Sequence, residues 1–285
     1  MSKFFNETLK ARNEILPLEG FDLAREEKSP IAASVPAGTE LGIEGGRLEQ
    51  CREILVPIAR LVEEQFAGSD SLESAQESYR ALRTRLMRLR TDQGMQSIVI
   101  TSSIQGEGKT HTSINLAQTC AQLHDMRVLL LDGDIRTCGL SRALNLPPSP
   151  GLGEVLSGQC EIEQAIVATD NPNLYLLSAG SATLPPAELF ASSRWQEFMG
   201  WCKGAFELIL VDSPPVLNLA DVELITAACD GVLMVVRAHH TKRDLLHKSA
   251  VQLNPKKLLG LVYNAVENGL HHRYPYRTYR AGLKS

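Results

Sequence analysis

The chain has 285 residues, 44% of them hydrophobic and 22% charged, with a formal net charge of −4. This composition suits one large α/β domain with an appendage and excludes wholesale disorder, and a pI near 6.0 argues against a general nucleic-acid binder. Cys51, Cys120, Cys138, Cys160, Cys202 and Cys229 show no metal-ligand spacing and read as reduced, mostly buried thiols. No apolar run reaches the ~18 residues of a membrane span and the start lacks a signal-peptide stretch, so a cytoplasmic location is expected.

Residues 1 to about 46 contain "SPIAASVPAGTELGIEGG", with scattered Pro and Gly and no sustained period, and read as a tail or linker. Over 47–66, Leu48, Cys51, Ile54, Leu55, Ile58, Leu61 and Val62 recur at steps of three and four. That spacing predicts an amphipathic helix, which Pro57 kinks or splits. "GSDSLESAQESYRALRTRLMRL" supplies an N-cap-like Ser and a second helix. From "SIVIT" (97–101) onward the pattern is regular: "RVLLLD", "LYLLSAG", "ELILVD", "GVLMVV" and "LLGLVYN" are apolar runs separated by helical segments. Continuous apolar strands alternating with helices predict a mainly parallel sheet covered on both faces. Near the end, "HRYPYRTYR" gathers three of the six tyrosines, and from residue 268 the chain carries Arg273, Arg277, Arg280 and Lys284 without a carboxylate.

The turn after the first regular strand reads Ser103-Ile-Gln-Gly-Glu-Gly-Lys-Thr110, close to G-x-x-x-x-G-K-[ST] with Ser103 at the first glycine. Gly106 and Gly108 let the backbone curl so that its N–H groups point at phosphate oxygens. Lys109 supplies positive charge for the β- and γ-phosphates, Thr110 a hydroxyl for Mg²⁺, and the helix opening there adds its positive dipole end. ATP and Mg²⁺ are therefore the expected cofactors. The nucleotide-contacting set is expected to comprise Ser103, Gln105, Gly106, Glu107, Gly108, Lys109, Thr110, His111 and, at the end of the last apolar run, Asn264. Two further strands end in carboxylates, "VLLLDGDIR" with Asp132 and Asp134 and "LILVDSPP" with Asp212. Ligands of open α/β sheets bind at the carboxyl ends of strands, so both should face the loop.

These three motifs, Gly106-Glu-Gly-Lys-Thr110, Asp132-Gly-Asp-Ile-Arg136 and Asp212-Ser-Pro-Pro215, resemble in type and order the Walker A, A′ and B motifs of the bacterial protein-tyrosine kinases of capsule and exopolysaccharide synthesis. Weaker echoes extend the likeness over residues 74–285. Gln105 and Cys138 stand where that family often has Pro, and the tyrosine tail is thinner than usual. The resemblance implies a P-loop NTPase-like α/β fold, with 1–70 as a partly flexible extension, 71–267 as the kinase domain and 268–285 as a basic tail. It implies a tyrosine autokinase that regulates polysaccharide synthesis or export. Lys109, Asp132, Asp134 and Asp212 would be catalytic, and Thr110, Asp132 and Asp212 would serve the metal. A tyrosine hydroxyl benefits from a carboxylate base, for which Asp134 is preferred, although Asp132 could exchange with it. Tyr274, Tyr276 and Tyr279 would be the phosphoacceptors. Glu77, Arg80 and Arg83, within about 120° on one helix face, would mediate a ring-like homo-oligomer with phosphorylation between subunits. The family also implies a transmembrane co-polymerase that recruits the kinase to the inner membrane face, and an opposing phosphotyrosine phosphatase. Two alternatives stay open. One is a partition- or septum-type ATPase switch, although Ile104 sits where such proteins carry a signature lysine. The other is a non-catalytic, nucleotide-dependent scaffold.

Overall fold

The structure, a computed structural model, describes residues 48, 51–58, 70–217 and 220–266. In chain order these form strand β1 (Arg52–Val56), helix α1 (Asp70–Gln93), β2 (Ser97–Ser102), α2 (Lys109–Cys120), β3 (Val128–Asp132), α3 (Gly139–Ala143), α4 (Leu152–Leu156) and α5 (Ile162–Ala165). There follow β4 (Ile166–Thr169), β5 (Leu174–Leu177), α6 (Pro186–Ala191), α7 (Ser193–Ala205), β6 (Leu208–Asp212), α8 (Asp221–Ala227), β7 (Gly231–Arg237), α9 (Arg243–Gln252) and β8 (Leu258–Asn264).

The eight strands make one sheet in the order β1-β4-β5-β3-β6-β2-β7-β8. Every neighbouring pair is parallel except β4 with β5. Central strands are buried at every position because both faces are covered, with polar residues only at their ends. Val99, Leu129, Leu131, Ile209 and Val211 point into one core, capped by Trp195, Phe198 and Met199 of α7. Their alternates Ile98, Ile100, Val128, Leu130, Leu208 and Leu210 point into the other, against Leu82 and Leu86 of α1 and Ile114 and Leu116 of α2. The period of two thus serves two buried faces instead of one buried and one wet.

All six apolar runs read as strands from "SIVIT" onward are strands in this sheet. The helix expected over 47–66 is corrected at its centre. Arg52–Val56 is a strand, parallel to β4 with Arg52 opposite Val167 and Val56 opposite Thr169. The short apolar run Ile54-Leu55-Val56 fits helical and strand spacing equally, and a free sheet edge decides between them. Pro57 follows the strand, and the chain is then tied down by Ile58 N donating to Asp170 Oδ1 at 3.1 Å. The strand β4 carries only four residues and passed unread.

The base of β2, the strand that leads to the glycine loop, is fixed by one side chain. Asp230 Oδ2 accepts from Gln96 N, Ser97 N and Ser97 Oγ, each at 2.9 Å, while its Oδ1 holds Lys203 Nζ of α7 at 2.6 Å. Replacing Asp230 by Ala strands the buried Ser97 N–H and is expected to cost about 2–3 kcal/mol. A urea titration should show the midpoint shift, and an unchanged midpoint would show that water replaces the carboxylate.

Candidate active site

The sheet order places the three motif strands side by side. β3, β6 and β2 are consecutive, Asp132 lies directly opposite Asp212, and Asp212 lies opposite Ile100 near the end of β2. The loop between β2 and α2 therefore hangs over the carboxyl ends that carry the acids, which is where open α/β sheets bind ligands.

Gly106 and Gly108 both have positive φ, 85° and 91°, and Gly108 is the N-cap of α2. A side chain at Gly108 meets a second obstacle, since a Cβ there would fall 1.8 Å from Asn264 Nδ2. Asn264 ends β8 and donates to the carbonyl of Glu107 at 3.0 Å, so the last strand closes over the loop. The Glu107 side chain is fully buried and braces the same loop: its Oε2 accepts from Ile104 N at 2.8 Å, and its Oε1 accepts from Thr241 Oγ1 in the turn after β7. Arg237 adds a bond to the Gly106 carbonyl at 3.2 Å.

Lys109 opens α2 and lies 3.7 Å from Asp134 Oδ2. Thr110 Oγ1 donates to Asp212 Oδ2 at 2.7 Å, and Ser113, one turn on, donates to Asp212 Oδ1 at 3.0 Å. Asp132 is held from both sides, by Ser141 N (2.8 Å) and Oγ (2.7 Å) on Oδ2 and by Asp134 N (3.2 Å) on Oδ1. Asp134 accepts from Thr137 through N at 3.1 Å and Oγ1 at 2.6 Å. Arg136 forms a bidentate pair with Asp221 at the start of α8, at 2.8 and 3.3 Å, which anchors the A′ loop. Gly133 allows that loop to lie on β6, because a Cβ there would sit 3.1 Å from the Asp212 carbonyl.

Electrostatically the site is over-supplied with buried carboxylate. Burial raises the Asp212 carboxyl from its ordinary 3.8 to about 7, despite Lys109 pulling it down, and the neighbouring Asp132 adds to the rise. Asp132 is also raised, chiefly by burial and against the bonds from Ser141. Lys109 acts on Asp134 and Asp212 but not on Asp132, which leaves carboxylate that a divalent cation would neutralise. The chemistry of these oxygen donors suits Mg²⁺, with Thr110, Asp212 and Asp132 as the residues that would hold it directly or through water.

Lys109, Thr110, Asp132, Asp134 and Asp212 are thus brought together as expected. Gln105 and Gly106 are exposed on the loop. Ser103 is buried with its hydroxyl toward Met234 Sδ at 4.0 Å, so its side chain serves the core beneath the loop. His111 sits in the first turn of α2 with Nδ1 near Tyr79 Oη (3.5 Å) and Asn115 Nδ2 (3.4 Å), and burial lowers its pKa. Glu77 and Arg80 form an exposed pair at 3.2 Å, whereas Arg83 is committed within the chain to the Thr119 carbonyl at 2.8 Å. Tyr274, Tyr276 and Tyr279 lie outside the described residues. Sequence reading missed Ser113, Ser141, Thr137 and Thr241. Ser113 was accessible, three residues beyond Thr110 on one helix face, whereas Ser141 and Thr241 carry no local signal.

A family model described as an AAA domain matches residues 95–246. The chain is 33% identical over 202 residues to a tyrosine-protein kinase, YwqD, of Bacillus subtilis, a match covering 70% of this chain and 85% of that protein. It is 29% identical over 210 residues to the tyrosine-protein kinase CpsD of Streptococcus agalactiae, covering 73% and 90%. Among solved structures, the kinase domain of Escherichia coli tyrosine kinase ETK superposes with a TM-score of 0.67 at 26% identity, covering 81% of this chain and 88% of that one.

The raised Asp212 carboxyl has a measurable consequence. Between pH 3.8 and about 7 the folded state keeps a proton that the unfolded chain has released, so the stability owed to this group falls as pH climbs through that window. Asp212→Asn removes the dependence. Without nucleotide, the variant is expected to exceed the parent above pH 7 by about 1–3 kcal/mol, or roughly 2–4 °C in melting temperature per kcal/mol. The gap should close toward pH 4 in paired thermal melts.

Proposed function

Since the chain belongs to the bacterial tyrosine-protein kinases, we propose that it moves the γ-phosphoryl group of ATP to tyrosine hydroxyls, with Tyr274, Tyr276 and Tyr279 of a neighbouring copy as the principal acceptors. The observation that carries this reading is the convergence of Lys109, Thr110, Asp132, Asp134 and Asp212 on three adjacent strand ends beside a loop with two left-handed glycines. Phosphoryl transfer needs positioning and charge neutralisation more than covalent chemistry, and this constellation supplies both.

Lys109 is placed to offset charge on the transferred phosphate, and the N-terminus of α2 adds its dipole. Asp212 and Thr110 are pre-paired, and Ser113 holds the second carboxylate oxygen, so the metal side of the site is ordered before substrate arrives. Bound Mg²⁺ would neutralise phosphate charge there. Asp134 is the proposed base. It lies beside Lys109, the group proposed to meet the transferred phosphate, whereas Asp132 sits directly opposite Asp212 on the proposed metal side. A buried carboxylate held by Thr137 can accept the phenolic proton as the Tyr oxygen attacks.

The wider setting proposed is control of extracellular or capsular polysaccharide synthesis or export, with a transmembrane co-polymerase as activator and a phosphotyrosine phosphatase in opposition. Among the described residues no helix is long and apolar enough to cross a membrane, and membrane recruitment is proposed to fall to a partner. Self-association would use the exposed Glu77 and Arg80 on α1, with Arg83 fixing that helix to α2. The septum-ATPase alternative is disfavoured by Ile104, which occupies the position of that group's signature lysine.

Purified protein with ATP and Mg²⁺ should acquire phosphate on the C-terminal peptide, read by mass spectrometry. Lys109→Met should remove it. Asp134→Asn should lower the rate by about 10²-fold or more, in the range of a lost general base, while ATP affinity changes little. Full phosphorylation by Asp134→Asn would overturn that assignment. Replacing all three tail tyrosines by Phe should remove most of the signal.

A further inference from the structure

The turn after β7 holds the phosphate loop, through Thr241 on Glu107 and Arg237 on the Gly106 carbonyl. The residues that follow are rich in exposed basic side chains. Between residues 242 and 248 lie Lys242, Arg243 and Lys248, all exposed, with His247 and one carboxylate, Asp244. The chain as a whole is acidic, so this concentration is local. Lys242 and Arg243 stand at the start of α9, whose N-terminal dipole end further favours an anion.

The strand register says which end of the chain lies beside this turn. β8 runs parallel to β7 with Asn264 opposite Arg237, and Ala238 N donates to the Asn264 carbonyl at 2.9 Å. The final segment of the chain therefore leaves the sheet beside this basic turn. Tyr274 lies about 10 residues further on, a distance that extended chain can span up to roughly 33 Å. As synthesised, the segment from 268 carries four Lys/Arg and no carboxylate, so the basic turn repels it. Phosphate on each of its three tyrosines adds about −1.5 to −2 charges apiece and turns the segment neutral to negative. Arginine presents a planar fork to phosphate oxygens, which gives the pairing geometric definition as well as charge.

We propose that the basic surface formed by Lys242, Arg243 and Lys248 binds the phosphotyrosines of the chain's own C-terminal segment, retaining the product tail beside the domain that bears it. Phosphorylation then acts as a charge switch. A positive tail is repelled by this turn and attracted to the acid-lined site of a neighbour, and a phosphorylated tail is called back. Because the same turn braces Glu107, the docked tail lies against the support of the phosphate loop. The proposal rests on the tyrosine-kinase reading only for the origin of the phosphates.

The test uses full-length protein with Tyr274, Tyr276 and Tyr279 changed to Phe, titrated into a labelled synthetic peptide of residues 268–285 bearing three phosphotyrosines and followed by fluorescence anisotropy near physiological salt. The phosphopeptide should bind at least about tenfold more tightly than its unphosphorylated form, and adding Lys242→Glu with Arg243→Glu should weaken it at least about tenfold. A Lys242→Ala, Arg243→Ala pair should fall between the two, and affinity should drop as salt rises. Equal binding of both peptides, or indifference to the charge reversals, overturns the proposal. So does binding of phosphatidylserine-containing vesicles that the reversals abolish, if no phosphopeptide preference accompanies it. The peptide is phosphorylated chemically, so tight binding by a protein that lacks kinase activity would overturn the preceding functional reading and still support this surface.

Discussion

Two carboxylates, Asp132 and Asp212, sit opposite one another on adjacent strands with no exposure to solvent. Burying paired negative charge is costly unless it is hydrogen-bonded and offset, and much of the surrounding architecture meets that requirement. Ser141 reaches from α3 to one acid, while Thr110 and Ser113 reach from α2 to the other. Lys109 stands 3.7 Å from the third acid, Asp134. The residual imbalance is what the proposed Mg²⁺, carried in with a nucleotide, would neutralise. A site fully compensated by protein groups would leave it nothing to neutralise.

The phosphate loop depends on parts of the fold remote in sequence. Glu107 is held by Thr241 and Asn264, which lie beyond β7 and at the end of β8, and α2 is packed against α1 through Arg83 on the Thr119 carbonyl and Leu82 and Leu86 on Ile114 and Leu116. The helix that presents Glu77 and Arg80 to solvent therefore lies directly on the helix that begins with Lys109 and Thr110. A neighbour engaging one end of this stack would press on the other.

Much of this was legible in the sequence. Three motifs spaced along six apolar runs fix the strand ends, and chemistry then assigns Lys109, Thr110 and the three acids. The same reading could not place Glu107. Its neighbours make it look like a phosphate contact, and only the fold reveals a buried carboxylate bracing the loop from behind. Ser103 misled similarly, since a loop position is also the last residue above a core. Arg83 shares a face with Glu77 and Arg80 by helical arithmetic, yet its guanidinium turns inward to cap the end of α2. The misreading of 52–56 has a different origin. A three-residue apolar run satisfies either periodicity, and the deciding factor is a vacant edge formed by β4, a strand too short to notice.

That edge strand also sets an order of events for the growing polypeptide. β1 is made early, but the strand it pairs with follows it by more than a hundred residues, so Arg52 has no partner until Val167 emerges. During that interval the stretch Arg-Glu-Ile-Leu-Val is an unpaired, β-prone ribbon exposed to other nascent chains. Closure of the sheet at β1 is thus a late, long-range contact of the kind that slows folding. A chain begun beyond Val56 would escape the wait, and would leave the β4 edge open to strand exchange with its neighbours instead.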